Sequence, residues 1–446
     1  MSYAWIFITM FLLPLSVLGS SALLPSDPNA SASARSLFAS LAALSGAPKL
    51  KMAFGAQRTN QEGVHWSAMD GSGNRSDILT NTGEWPSMFG FNFGSLTNGF
   101  SDVAANAASL PNVVAAAKRA GELGGIIAAH FPTNNPIKCS HKPEYKDCEK
   151  DPTGEPMKNL LPKGQGNESN GKGNKQWNAW LDAAAAAAHA VAPSPLLFRP
   201  FHENYLNNWW GSPYCTPSEF IAGWRYTVDY LRNTKNVHNM LFVYAPDQPV
   251  RSISSPLGYA ERWPGDDYVD VCAFDHYDHP STPHHCADSN FTNEFLADIH
   301  MVVNFAVAHG KIPAVGEFGM KGGVNSMLDA ECVTVSSMIS RGAAEFCFVL
   351  SFSPHTYSML CSTNSRLFLS LSLSLSLSLF LIISWWTRCL LEPLATDTLA
   401  PRLAYAMTWC NNEDNEFVPM KGNLTFASFE EFAKSDNVVL GTKWNN

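Results

Sequence analysis

Eight short apolar runs punctuate the chain, at residues 51–57, 87–94, 125–132, 196–203, 240–247, 269–278, 312–319 and 403–411. They are rich in β-branched or aromatic residues and bounded by Gly, Pro or polar positions, which is the pattern of buried strands. Between them lie longer stretches with apolar residues at three- and four-residue spacing. Phe220, Ile221, Trp224, Val228 and Leu231 mark one such helix, opened by Thr216-Pro217-Ser218-Glu219. That tetrapeptide has a capping Thr, a Pro at the first helical position and a Glu three residues after the cap. Phe295, Leu296, Ile299, Val302 and Val303 mark another, stopped by Gly310. Strands alternating with helices predict a parallel sheet, and eight of them predict a (β/α)8 barrel forming one catalytic domain over residues 45–446. An open doubly wound sheet is the competing architecture, but no Gly-rich dinucleotide fingerprint follows the first run.

Two segments break the pattern. Residues 1–22 carry a short apolar core followed by small residues, Gly19-Ser20-Ser21-Ala22, as a secretory signal peptide does. An extracellular protein is therefore expected, with the 10 cysteines in an oxidising setting. Cys139 with Cys148 and Cys215 with Cys286 are the expected disulfides, and Asn29, Asn74, Asn167, Asn290 and Asn423 stand in glycosylation sequons. The second segment is stranger. Leu and Ser alternate from Leu369 to Leu379. A strand this monotonous would invite aggregation, and a membrane helix would be half Ser. A CT-repeat tract, however, translates as Leu-Ser-Leu-Ser, and pyrimidine-rich tracts precede splice acceptors. Residues 327–384 thus read as a retained intron, with a membrane anchor or a genuine insertion as the alternatives.

Composition narrows the function. With 46% apolar residues, 15% charged residues and a net charge of -9, the chain is globular and acidic, unlike a disordered chain or one that binds nucleic acid by bulk charge. In a barrel, polar residues at the C-terminal strand ends carry the chemistry. The fourth run ends Arg199-Pro200-Phe201-His202-Glu203 and the seventh ends Gly316-Glu317-Phe318-Gly319. Each delivers one glutamate to the mouth. Glycoside hydrolysis needs such a pair, one carboxylic acid to protonate the leaving oxygen and one carboxylate to attack the anomeric carbon; a lone Glu more often pairs with Arg or caps a loop. The His-rich stretch 275–285 lacks metal-ligand spacing and is broken by Pro280 and Pro283, so neither metal nor cofactor is expected.

Together with Trp209-Trp210-Gly211, these two motifs resemble the signatures of glycoside hydrolase family 26, most of whose members are endo-β-1,4-mannanases. The likeness runs from about Met52 to Thr425. It implies a retaining double displacement with Glu203 as acid/base and Glu317 as nucleophile. It also implies substrate contacts from His130, His202, Asp275, Tyr277 and Trp409, with Tyr277 bonded to the nucleophile. Arg199 would hold Glu317 charged or fill a salt bridge in the barrel. Trp209, Trp210 and Trp409 are expected to stack on sugar rings, whereas Trp177, Trp180 and Trp224 fall at helical spacing and read as core. Two positions depart from the family pattern, Ala129 where Trp is frequent and Asn92 where Asp is frequent. The expected partner is a β-mannan, glucomannan or galactomannan, met by a monomer with no stable membrane association. The alternatives are β-1,3-xylanase or mixed-linkage glucanase activity, or a non-catalytic sugar-binding barrel.

Overall fold

A computed structural model describes residues 23–446 except 69, 98–109, 139–147, 166–170, 253–256, 279–289, 322, 324–333, 341–345, 354–355, 363–383, 443 and 445–446. The expected signal peptide and the Leu/Ser repeat therefore lie outside the described residues.

All eight runs become strands: β1 Met52–Gln57, β2 Met88–Asn92, β3 Ile126–Phe131, β4 Leu196–Pro200, β5 Met240–Tyr244, β6 in two pieces (Val271–Cys272 and Asp275–Asp278), β7 in two pieces (Ile312–Pro313 and Val315–Met320) and β8 Tyr405–Thr408. Each pairs in parallel with the next, and β8 pairs with β1, which closes a (β/α)8 ring. Closure leaves no free sheet edge. Strand side chains facing outward, such as Phe54, Phe89 and Phe198, are fully buried under the helical layer. There Trp177, Trp180 and Trp224 sit as the helical spacing predicts, 0–2% exposed.

Helix α1 (Ala32–Ser45) precedes the first strand and starts at a Ser31 cap that accepts from Ala34 N. Its Ala34, Leu37, Phe38 and Leu41 join the inward-facing cluster of Ala53, Met88, Leu197, Val271 and Ala404. The helix thus plugs the end of the barrel opposite the mouth, and the packed domain begins before the expected start at residue 45. Burying a Leu or Phe of this kind contributes roughly 1.5–3 kcal/mol. The predicted caps hold as well. Helix α2 (Pro217–Asp229) opens with a complete capping box, with Glu219 Oε2 accepting from Thr216 N at 2.8 Å. Helix α3 (Asn290–Ala308) is followed by Gly310 at φ 64.

After β7 the chain makes a separate antiparallel sheet, Thr334–Ser340, Phe346–Ser353 and Thr356–Ser362. The barrel resumes at Trp385. Both junctions rest on one residue: Lys321 N donates to Asp278 O at 2.7 Å, and Trp385 Nε1 donates to Asp278 Oδ2 at 2.9 Å. Trp386 then packs against Phe54, Phe429 and Phe432 with centroids 4.9–6.0 Å away. Among the described residues no helix is long and apolar enough to cross a membrane.

Candidate active site

Glu317 lies in the second piece of β7, paired in register with Asp275 of β6. It is 3% exposed. Arg199, at the end of β4, reaches across the barrel and donates Nη1 to both oxygens of Asp275 at 2.7 Å and Nη2 to Glu317 Oε1. One guanidinium therefore serves two buried carboxylates, and their fields raise its own pKa. Tyr277 OH donates to Glu317 Oε2 at 2.8 Å, as the resemblance implied. Both Glu317 oxygens are thereby held, which fixes the direction of the carboxylate. Gly316 makes room for this: a Cβ there would collide with Asp275 Oδ1 and crowd Arg199.

Glu203 stands three residues past β4, half-buried, with φ 50. Phe201 also has φ 50, so the turn carries two non-glycine residues in the left-handed region, each a strained conformation. The turn is held from both sides. Glu203 N donates to Ala245 O at 2.9 Å, and Phe201 drops its ring into a cage of Trp177, Trp209 and Trp210 at 5.2–6.3 Å. A carboxylate oxygen from each of Glu203, Asp275 and Glu317 lies within 4.8 Å of the other two. Burial and the negative charges of Glu317 and Asp247 push Glu203 up to about 8, against the smaller opposing pull of Arg199 and Lys321.

His130 and His202 close one side, with their rings 5.5 Å apart edge to face, and Trp409 packs on His130 at 5.8 Å. Burial first, and Arg199 second, hold both imidazoles well below the usual histidine range, so both are neutral. Neither Nδ1 has a protein partner among the described residues. Asn92 pairs in register with His130.

One expectation is corrected. Trp209 and Trp210 are 0% exposed, and their indole N–H groups bond Thr133 O and His202 O at 2.8 Å. They cannot stack on a ligand. They brace the Phe201–Glu203 turn from behind, because Phe201 points away from the cleft and the loop folds over it. Trp409 remains half-exposed. The Cys215–Cys286 pairing is also corrected, since Cys215 is a free buried thiol. Cys148 takes part in a disulfide, and its expected partner Cys139 lies outside the described residues. His279, His284 and His285 lie outside them too, while His276 is bound to Asp298 at 2.6 Å. Among the described residues, the acidic groups close enough to share an ion are the same three site carboxylates, and Arg199 is already paired with two of them.

Sequence reasoning did not single out Gln57, Asp247 and Lys321. Gln57 Nε2 approaches Glu317 Oε1 at 3.4 Å, Asp247 and Lys321 bear on Glu203, and Lys321 lies 5.2 Å from the Tyr277 ring. Gln57 and Asp247 are polar residues ending apolar runs, the same signal that singled out Glu203.

Comparison with known proteins agrees with this geometry. The family model described as Glycosyl hydrolase family 26 matches residues 26–324. A mannan endo-1,4-beta-mannosidase of Bifidobacterium adolescentis is 33% identical over 308 residues, covering 67% of this chain and 28% of that protein. Mannan endo-1,4-beta-mannosidase A and B of Caldalkalibacillus mannanilyticus is 30% identical over 151 residues, covering 30% of this chain and 27% of that protein. The chain thus spans less than a third of the length of these relatives. Among solved structures, the catalytic domain of a Bacillus sp. JAMB-750 endo-beta-1,4-mannanase superposes with TM-score 0.70 at 28% identity, covering 95% of this chain and 96% of that one. A Cellulomonas fimi endo-beta-1,4-mannanase double mutant gives TM-score 0.70 at 25% identity, with 95% and 78% covered.

Proposed function

The chain belongs to glycosyl hydrolase family 26, and from that premise we propose that it is a secreted retaining glycosidase that cuts internal β-1,4-mannosidic bonds of mannan-type polysaccharides. The observation that carries the mechanism is the spacing of the pair. Carboxylate oxygens within 4.8 Å of one another support the short separation of about 5–5.5 Å used by retaining enzymes over the about 6.5–9.5 Å of inverting ones. Glu203, protonated at neutral pH, gives its proton to the glycosidic oxygen while a Glu317 oxygen attacks the anomeric carbon. The leaving sugar departs as an alcohol and a glycosyl ester forms on Glu317. Glu203, now a carboxylate, takes a proton from water. The hydroxide oxygen displaces Glu317 and restores both groups.

The mannan assignment draws on the activities of the relatives. Secretion draws on residues 1–22 and on the exposure of Asn29 and Asn74 in their sequons. A Cys139–Cys148 disulfide belongs to the same reading. The retained-intron reading of 327–384 is supported by the family match ending at residue 324 and by the convergence of both junctions on Asp278.

The test is reducing-end release from β-mannan, mixed-linkage glucan and β-1,3-xylan by the full mature chain and by a version joined across 327–384, with the anomer of the first product read by NMR. Mannan cleavage with retained configuration is expected. Cleavage of glucan or xylan alone would move the substrate assignment. A folded protein that binds mannan and cuts nothing would be a binding barrel.

A further inference from the structure

Gln57 ends β1, a strand otherwise made of Met52-Ala53-Phe54-Gly55-Ala56, and it is 2% exposed. Burying an amide costs free energy that only hydrogen bonding recovers. The side chain reaches past β8 to β7, where Nε2 donates to Glu317 Oε1 at 3.4 Å, a long bond. Its own Oε1 has no protein partner among the described residues, so the proposed nucleophile is the polar anchor of the amide. The neighbouring strand makes room for this placement. Gly90 of β2 stands opposite Gln57 in register, and a Cβ there would collide with the amide oxygen and Cα of Gln57. The adjoining cavity, bounded by Gln57, His130, Arg199, Gly316 and Tyr405, measures about 10 Å³, room for about one water molecule. Glu317 Oε1 therefore leans on protein donors rather than on bulk solvent. Of these, Arg199 divides itself between Asp275 and Glu317, whereas Gln57 serves Glu317 alone.

A donor on Glu317 does not weigh equally on the two steps of the reaction. Hydrogen bonds to a carboxylate are stronger than those to a neutral ester, so the amide stabilises free Glu317 relative to glycosylated Glu317. While the ester forms, the carboxylate loses charge and the donor makes it a weaker nucleophile. While the ester breaks, water attacks the anomeric carbon, its proton passes to Glu203, and the electron pair of the broken carbon–oxygen bond returns to Glu317. There the donor helps, because it steadies the charge that the leaving carboxylate regains. We infer that Gln57 is a positioning residue for the second step, which speeds breakdown of the glycosyl ester by holding Glu317 Oε1. The inference rests on the proposed glycosidase reading.

The experiment measures steady-state kinetics of the full chain on an aryl β-1,4-mannobioside with a good leaving group. With such a substrate ester formation is fast, ester breakdown limits kcat, and kcat/KM reports formation. Gln57→Met keeps the length of the side chain and removes the donor. It is expected to lower kcat and KM together by roughly tenfold and to leave kcat/KM within about twofold, with a glycosyl adduct accumulating in intact-protein mass spectra. Gln57→Asn draws the amide back by one methylene, should show the same pattern, and covers the case in which Gln57→Met fails to fold. A folded variant with unchanged kinetics, or with kcat and kcat/KM falling alike and no adduct, would overturn the role of Gln57 and leave the mannanase reading intact. Failure of the wild type on both the aryl mannobioside and β-mannan would overturn that reading and the inference with it.

Discussion

Glu203 and Glu317 face each other across a few ångströms, yet their surroundings are opposite. Glu317 is buried in a strand with both oxygens engaged, one by the Arg199 guanidinium and one by the Tyr277 hydroxyl. Glu203 is carried on a strained turn, with burial and neighbouring negative charge working against its ionised form. Two identical side chains are thereby given different roles by their environment. A carboxylate held by donors is aimed, as the proposed nucleophile must be; a carboxyl disfavoured as an anion keeps the proton that the leaving group needs. The residues behind each group differ in kind as well. Polar partners place Glu317, whereas aromatic packing by Trp177, Trp209 and Trp210 around Phe201 places Glu203.

The contrast can be broken most severely at Glu317. Glu317→Ala should cut kcat by at least about 10⁴-fold on every substrate, measured by reducing-end release, because no covalent intermediate forms. Glu203→Ala should cost about 10²–10⁴-fold with a poor leaving group and much less with an aryl leaving group that needs no proton. Equal losses on both substrates would contradict the acid role. Tyr277→Phe removes the donor to Glu317 Oε2, leaving Arg199 and Gln57 on Oε1, and should lower kcat roughly 10–100-fold while leaving the fold intact by circular dichroism.

The smallest effect sharpens the other side. With Glu203 raised to about 8, the protonated form required for catalysis is lost as pH rises through that value, so kcat/KM should fall there on the alkaline side. The same shift affects stability. A carboxyl whose folded pKa is raised favours the native state at low pH, and that contribution is lost as pH climbs from the ordinary carboxyl range through about 8. Glu203→Gln should therefore raise Tm at neutral pH by roughly 2–4 °C, with the gain shrinking under acidic conditions. A Tm difference independent of pH would mean that charge is not the source.

The barrel and the segment after β7 form a second contrast. Barrel strands were legible because parallel strands buried on both faces are continuous apolar runs, and the helix between them repeats every 3.6 residues. Residues 327–384 obey neither rule, and the structure gives the strands described between residues 334 and 362 a sheet of their own, while Asp278 bonds Lys321 and Trp385 on either side. Helix α1 was missed as part of the domain because its short apolar face looks like any linker until the open end of a barrel is there to receive it.

Local patterning by itself determined the eight-stranded plan, the helix caps and the two glutamates, since periodicity, capping chemistry and strand-end position are properties of neighbouring residues. The tertiary structure alone decided how the site divides its labour. Arg199, Asp275 and Glu317 lie on three different strands, and a guanidinium bonded to two carboxylates depends on register across the barrel. Trp209 and Trp210 make the same point. An indole at a cleft looks identical in sequence whether it faces the sugar or the core, and only the direction taken by the Phe201 turn sends both of them inward.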